Sequence, residues 1–503
     1  MPKSDTSRLY HQLVKRMRAL ADIKNAMALL QWDQETYMPK GGAQFRGQQL
    51  TTLAELAHRM GTSPALGKLL EKLLDKAELS EVERKNVELT HLYYQKAKRY
   101  PSSLVKALTQ AANRCFMAWI QARQEHQFAV FAPELEKMIA LKKQEAEILG
   151  YPACPYDALL DQHERGLTTE ILENIFPPLQ ANLISLLSKI QQKPQPPDDF
   201  LYAYADKQQQ WEFGLYLLQA MGFDFNKGRQ DLSEHPFTTS FSPHDVRVTT
   251  RMHEHQLATM VWSCIHEGGH ALYEQGLPAE QYGMPGGQAS SLVIHESQSR
   301  LWENCIGRSL AFWTFHYPAW QKRFPTPFSH IALEDFYRAI NLVKPSLIRT
   351  EADELTYHLH IFIRYEIEKK LINEHLPIQE LPDLWNALYA EMLDVKVSDD
   401  VQGVLQDVHW SHGSLGYFPT YTLGSLLAAQ WWEQLQQELP QLDEALAQGQ
   451  TAPILNWLRK HIHGYGSLYT AEELCRRVTG KPLQADAFLR YVQQKYFRIY
   501  GLE

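Results

Sequence analysis

The stretch Val261-Trp262-Ser263-Cys264-Ile265-His266-Glu267-Gly268-Gly269-His270, with its continuation to Ser299, decides how the chain is read. Leu257, Met260, Val261 and Ile265 recur at steps of three and four, which puts them on one face of a helix, and Gly276 follows as its C-cap. The segment reads as a buried helix. On it His266 and His270 stand one turn apart on the same face, so both imidazoles can reach a single metal ion, and the spacing outlines a zinc site. Glu267, beside His266, is close enough to act on a metal-bound water as general base. Gly268 and Gly269 each lower helix stability by about 1 kcal/mol relative to Ala, so close approach of another backbone is expected there. The bland alternative is a pair of ordinary buried histidines with polar partners.

A catalytic zinc keeps one position open and takes three protein ligands. Downstream, Tyr282 to Gly287 is a Gly/Pro-rich loop, and Leu292 to Ile306 reads as a second helix. Two helices joined by a turn would bring Glu296 back over His270. His295 is the alternative ligand, but its side chain points away if that of Glu296 points in. Two His, one Glu, a water and a base form the peptide-hydrolysing zinc arrangement, in which the metal polarises the carbonyl and acidifies the water.

Upstream, the helical rule breaks between His235 and Arg251, where Val246 and Val248 alternate with Arg247 and Thr249 as along a strand. A small sheet is expected there, ending just before the metal helix, where a peptide could pair with a strand edge; a short structural hairpin is the alternative. Elsewhere helix is the default. Leu9, Leu13, Met17, Leu20, Ile23, Met27 and Leu30 keep the amphipathic period, a first turn region follows Trp32-Asp33, and Leu50 to Met60 resumes the helix. Pro133 marks a helix start, with Gly150 closing it after Leu149. The proline cluster Lys193 to Asp199 is the one place that suggests a subdomain connection.

Core size is not limiting in 503 residues. Lys and Arg total 50 against 58 Asp and Glu, a net charge of −8, and no basic tract is long enough to track a phosphate backbone. Nucleic acid is excluded as the expected partner. The first residues show no signal-peptide pattern and no apolar run reaches a membrane span, so a soluble, cytoplasmic protein is expected. Five scattered cysteines without a C-x-x-C pair, and the absence of any Asn-x-Ser/Thr sequon, fit reduced thiols in a cytosol.

The residues resemble the carboxypeptidase Taq (M32) family of metallocarboxypeptidases. The resemblance is carried by an ordered series: His235-Pro236-Phe237, Asp245 to Thr249, His266 to His270, His295 to Gln298, Ile348-Arg349-Thr350-Glu351-Ala352-Asp353, and Gly403 to Trp410. Trp32-Asp33, Gly416 to Tyr421 and Lys495-Tyr496 extend it over nearly the whole chain. It implies a single peptidase domain over 1–503, with its motifs within 235–425. The implied fold is mainly α, a large helical body of two subdomains around a long, deep cleft with a small β-sheet beside the zinc helix. It also implies homodimers, removal of single C-terminal residues from peptides with broad specificity, and activity with zinc or cobalt.

An exopeptidase of this kind must hold the substrate α-carboxylate, and a guanidinium does so with two parallel bonds. Arg349, at the arginine of the Ile-Arg-x-x-Ala-Asp motif, is the first candidate and Arg247 the second. His235 and Tyr417 are further substrate-binding candidates from the matching motifs. Tyr421, Tyr417 and His409 are candidates to stabilise the oxyanion, Tyr421 and His409 as catalytic groups. Asp353 is the candidate acid to orient a zinc histidine. Relatives often carry such an acid four residues after the ligand Glu, but here that position is Arg300. The alternatives are a zinc endopeptidase or dipeptidyl carboxypeptidase on a similar scaffold and, from another class, a non-catalytic peptide-binding protein.

Overall fold

Helix starts and stops follow local chemistry. The long N-terminal helix Asp5–Thr36 begins where the Ser4 side chain accepts from the Ser7 amide at 3.2 Å, and Pro64–Leu74 begins with Ser63 as cap and proline in its first turn. The computed structural model describes residues 4–502, which fold almost entirely as helices. Among the described residues the strands are β1 (Gly228–Leu232), β2 (Thr238–Ser242) and β3 (Asp245–Thr250), and no helix is long and apolar enough to cross a membrane. The mainly helical fold with one small sheet is the architecture expected from the sequence.

The chain forms two compact units, each assembled from separated segments. The first takes residues up to Lys98, Pro197–Ile340 and Trp431–Pro482; the second takes Arg99–Pro196, Asn341–Gln430 and the residues from Leu483 onward. One crossing falls between Pro196 and Pro197, inside the proline cluster. In the first unit, Tyr10 and Leu13 of the N-terminal helix pack with Leu66, Leu70, Leu73, Val87 and Met284. At the heart of the second, the helix Tyr357–Asn373 is buried along most of its length.

The sheet belongs to the first unit and has the order β1-β3-β2, with β1 parallel and β2 antiparallel to β3. Val246 and Val248 are fully buried, as their alternation predicts, while Arg247 between them is only partly so. β1 lies outside the stretch in which the sequence suggested strands. It is fixed by a non-local partner, Gly228 to Leu232 running against Val246 to Thr250, and not by any apolar alternation of its own.

One helix differs from its sequence reading. The helix that ends at Leu149 begins at Phe128, so Pro133 lies inside it and not at its start. Its first amide is satisfied by a distant carboxylate, with the Phe128 N–H donating to Asp400 at 2.7 Å, and the buried Phe128 and Phe131 anchor that extra turn. All five cysteines are free thiols.

Candidate metal centre

The helix Leu257–Gln275 packs against β2, β3 and the helix Leu292–Arg300. The last contact is set by one glycine. A Cβ on Gly269 would lie 2.7 Å from Ser299 Cα and 2.8 Å from the Gln298 carbonyl oxygen, so the two backbones touch there. Gly268 faces side chains instead: a Cβ there would lie 2.8 Å from Leu218 Cδ2 and 2.9 Å from Met221 Cε. The expected backbone approach is therefore made at Gly269. Ser291 caps the second helix, and its last turn, Leu301–Ile306, widens to π geometry.

This packing carries Glu296 over the histidines. Ligand atoms of His266, His270 and Glu296 all lie within 4.8 Å of one another, with Glu296 Oε2 3.9 Å from His266 Nε2 and 3.7 Å from His270 Nε2. Two imidazole nitrogens and a carboxylate oxygen converging in this way suit a divalent transition metal, and they leave other coordination positions to water or substrate. His295 turns elsewhere: its Nε2 meets Glu274 Oε1 at 3.0 Å and its ring stacks on His270 at 4.4 Å.

The acid that orients the first histidine is Glu303, not Asp353. His266 Nδ1 donates to Glu303 Oε2 at 2.8 Å, which leaves Nε2 facing His270 and Glu296. Glu296, Arg300 and Glu303 sit at i, i+4 and i+7, so the helix presents all three on one face. Arg300 Nε donates to Glu296 Oε1 at 2.7 Å and its Nη1 to Glu303 Oε2 at 3.1 Å, while Arg308 Nη2 reaches Glu303 Oε1 at 3.4 Å. Burial pushes the Glu303 carboxyl up, but Arg300, the His266 hydrogen bond and Arg308 together hold it well below the usual carboxylate range. For His266, burial lowers the imidazole, yet the bond to Glu303 and the charges of Glu296 and Glu303 outweigh it and raise the value. Burial and the neighbouring His295 and His266 push His270 far down, so it is neutral and keeps its lone pair.

Glu267 is buried and pushed above the ordinary carboxylate value by that burial, against the opposing effects of His266 and of a hydrogen bond from Thr238. Thr238, the first residue of β2, donates from Oγ1 to Glu267 Oε2 at 2.6 Å. The sheet thus fixes the rotamer of the acid beside the histidines, a role that no local sequence pattern announces.

The remaining candidates fall into separate groups. Arg247, on β3, pairs through Nε and Nη2 with Asp245 at 3.0 and 3.1 Å and lies over the Trp32 ring at 4.3 Å, and His235 is exposed before β2. In the second unit, Arg349 is buried; its Nε and Nη2 donate to Asp407 Oδ1 at 2.9 and 2.8 Å and its Nη1 to Tyr357 at 3.1 Å. Asp407 also accepts from Arg364 Nε at 2.7 Å, and these two arginines outweigh burial to hold it far below the usual carboxylate range. Arg349 lies 5.2 Å from the Tyr421 ring, Tyr421 meets His409 Nε2 at 3.3 Å, and Tyr417 lies edge-on to His409 and tilted against Tyr421. Burial, aided by Arg349 and Arg364 against the pull of Asp407, lowers His409 to about 3, so its imidazole is neutral. Asp353 is occupied away from the histidines, with Oδ1 accepting from the Leu355 and Thr356 amides and Oδ2 from the Lys344 amide and the Thr356 hydroxyl.

A helical body, a small sheet against a His-Glu-x-x-His helix and a Glu ligand from the next helix together define a metallopeptidase architecture. Comparison with known proteins gives the family. The chain belongs to the carboxypeptidase Taq (M32) metallopeptidases, whose family model matches residues 12–496. It is 41% identical to thermostable carboxypeptidase 1 of Thermus thermophilus, covering 98% of this chain and 99% of that one, and 38% identical to carboxypeptidase 1 of Bacillus subtilis, covering 98% of each. The M32 carboxypeptidase structure from Deinococcus radiodurans R1 superposes with a TM-score of 0.96 at 38% identity, covering 98% of this chain and all of that chain.

Proposed function

We propose that the chain is a zinc-dependent carboxypeptidase that removes single residues from the free C-termini of peptides with broad specificity. The observation that carries this reading is the convergence of His266, His270 and Glu296 with the carboxylate of Glu267, buried and held by Thr238, on the same helix as the histidines. Zinc, or cobalt in its place, held by those three residues would polarise the scissile carbonyl and acidify a water. Glu267 takes the proton of the attacking water and delivers it to the leaving amine, a transfer for which its raised affinity for protons suits it. Glu303 keeps His266 in the tautomer that presents Nε2.

Arg349 is assigned to the substrate α-carboxylate. Asp407 and Tyr357 use Nε and one N–H of each Nη, which fixes the guanidinium and leaves one N–H of each Nη for a carboxylate. Tyr421 and neutral His409 are assigned as oxyanion donors, with Tyr417, Arg247 and His235 along the peptide. The enzyme acts as a cytoplasmic homodimer.

Mass spectrometry of a peptide pool, free and C-terminally amidated, tests the assignment with zinc-loaded and chelated protein. Metal-dependent ladders of single-residue loss from free C-termini alone are expected. Internal cuts or paired losses would instead assign an endopeptidase or dipeptidyl carboxypeptidase, and equal cleavage of amidated peptides would remove the role given to Arg349. Glu267→Gln is expected to retain zinc and lose turnover; unchanged turnover excludes it as base.

A further inference from the structure

We propose that Arg300 is a positioning residue that restricts Glu296 to a single metal-facing oxygen, keeping a coordination position open for water and substrate. The inference rests on the reading of His266, His270 and Glu296 as the ligand set. A carboxylate with both oxygens available can chelate a cation through both, whereas here the two oxygens are used differently. Oε2 lies 3.7 and 3.9 Å from the two imidazole Nε2 atoms, and its one hydrogen-bond donor from the protein among the described residues is Ser299 Oγ at 3.4 Å. Oε1 is held by Arg300 Nε at 2.7 Å, a charge-assisted bond.

The guanidinium that makes this bond is itself locked. Its Nη1 donates to Glu303 Oε2 at 3.1 Å, the same oxygen that accepts from His266, and Arg308 closes the other side of Glu303. The side chain of Arg300 is only 14% exposed. Chelation by Glu296 would therefore break a bond inside a buried network that also orients His266.

The sign of the charge points the same way. A cation beside a site for another cation weakens metal binding, so a residue selected for affinity at this position would be neutral or acidic. The presence of arginine makes sense if its hydrogen bond sets geometry at the expense of affinity.

Charge and hydrogen bond can be separated, because glutamine carries an N–H donor at the position of arginine Nε, whereas methionine has no donor. Zinc affinity by competition with a chromophoric chelator, and the visible absorption of the cobalt-loaded protein, are read on wild type, Arg300→Gln and Arg300→Met. Both variants are expected to bind zinc about tenfold tighter, because one positive charge beside the site is removed. Only Arg300→Met is expected to show a weakened cobalt band, as the second carboxylate oxygen joins the ion and the coordination number rises. If it fails to fold, Arg300→Leu, which likewise has no donor, carries the same spectral expectation.

Weaker zinc binding by both variants, or a cobalt band unchanged in the donor-less variant, would overturn the proposal. Both readouts concern the bound ion and not turnover. Protein that gives the expected spectra but leaves peptides intact would overturn the peptidase reading alone. Wild-type protein that takes up neither zinc nor cobalt would overturn this inference with the ligand assignment beneath it.

Discussion

Alanine at Gly269 should disturb the metal site and alanine at Gly268 should not, although both glycines lie in the same helix one residue apart. Each substitution gains about 1 kcal/mol of helix propensity. At Gly269 the new Cβ would stand 2.7 Å from Ser299 Cα, and moving it out to ordinary contact near 3.4 Å requires a shift of about 0.7 Å. The obstacle is backbone, so the whole helix Leu292–Arg300 must move, and Glu296 moves with it. Overpacking of this kind costs about 1–3 kcal/mol, enough to cancel or exceed the propensity gain. Displacement of a ligand by close to 1 Å is of the size that lowers turnover about 100-fold. At Gly268 the Cβ would meet the far ends of Leu218 and Met221, which can rotate aside. Zinc affinity, peptide hydrolysis and thermal melting measured on the pair form an internal control. Gly269→Ala should lose metal affinity and turnover by at least tenfold with no gain in melting temperature, while Gly268→Ala keeps the affinity and turnover of wild type. Equal zinc affinity and turnover in the two variants would refute the view that this backbone contact sets the ligand geometry.

Two further expectations follow from buried carboxylates. Glu303→Gln should weaken zinc binding about 10- to 100-fold, measured by chelator competition, because His266 loses its anionic acceptor. Glu368, fully buried, accepts from Tyr156, Trp410 and the Gly416 amide at 2.6 to 2.8 Å, and burial, opposed by those bonds, raises it from 4.5 to about 7. Below about pH 4.5 both folded and unfolded chains hold that proton; between there and about 7 only the folded chain does. Stability should thus fall with rising pH across that window by up to about 1.4 kcal/mol per unit, and chemical denaturation at several pH values should show a shallower fall in Glu368→Gln.

The helical body, the metal helix and the approach of Glu296 were legible because each rests on local periodicity: apolar positions three and four apart, histidines at i and i+4, and a second helix after a short turn. Glu303 was also within reach of that logic, since i+7 shares a face with Glu296, but attention to i+4 alone finds Arg300 and stops. Thr238 and β1 were not legible in the same way. Their roles depend on strand pairing and on packing between elements distant in sequence, and neither has a local pattern that marks it. The start of the Phe128 helix depends likewise on Asp400, far along the chain. Asp353 shows the converse, in which a motif position suggested a distant task while the side chain is taken up by the Lys344, Leu355 and Thr356 amides and the Thr356 hydroxyl.

The interleaving of the two units has a consequence for biosynthesis. The helix that presents Glu296 is braced by residues that leave the ribosome late: Trp431 Nε1 donates to Ser297 Oγ at 3.2 Å, and His463 Nε2 meets Gln298 Oε1 at 3.0 Å. Both braces belong to the last segment of the first unit, Trp431–Pro482. A nascent chain that has extruded all three ligands still lacks the struts that hold the third, because Asn341–Gln430 of the other unit and then this last segment must first be made. Metal capture in its final geometry therefore waits on residues made well after the ligands, and the second unit's middle segment must emerge before the first unit is complete.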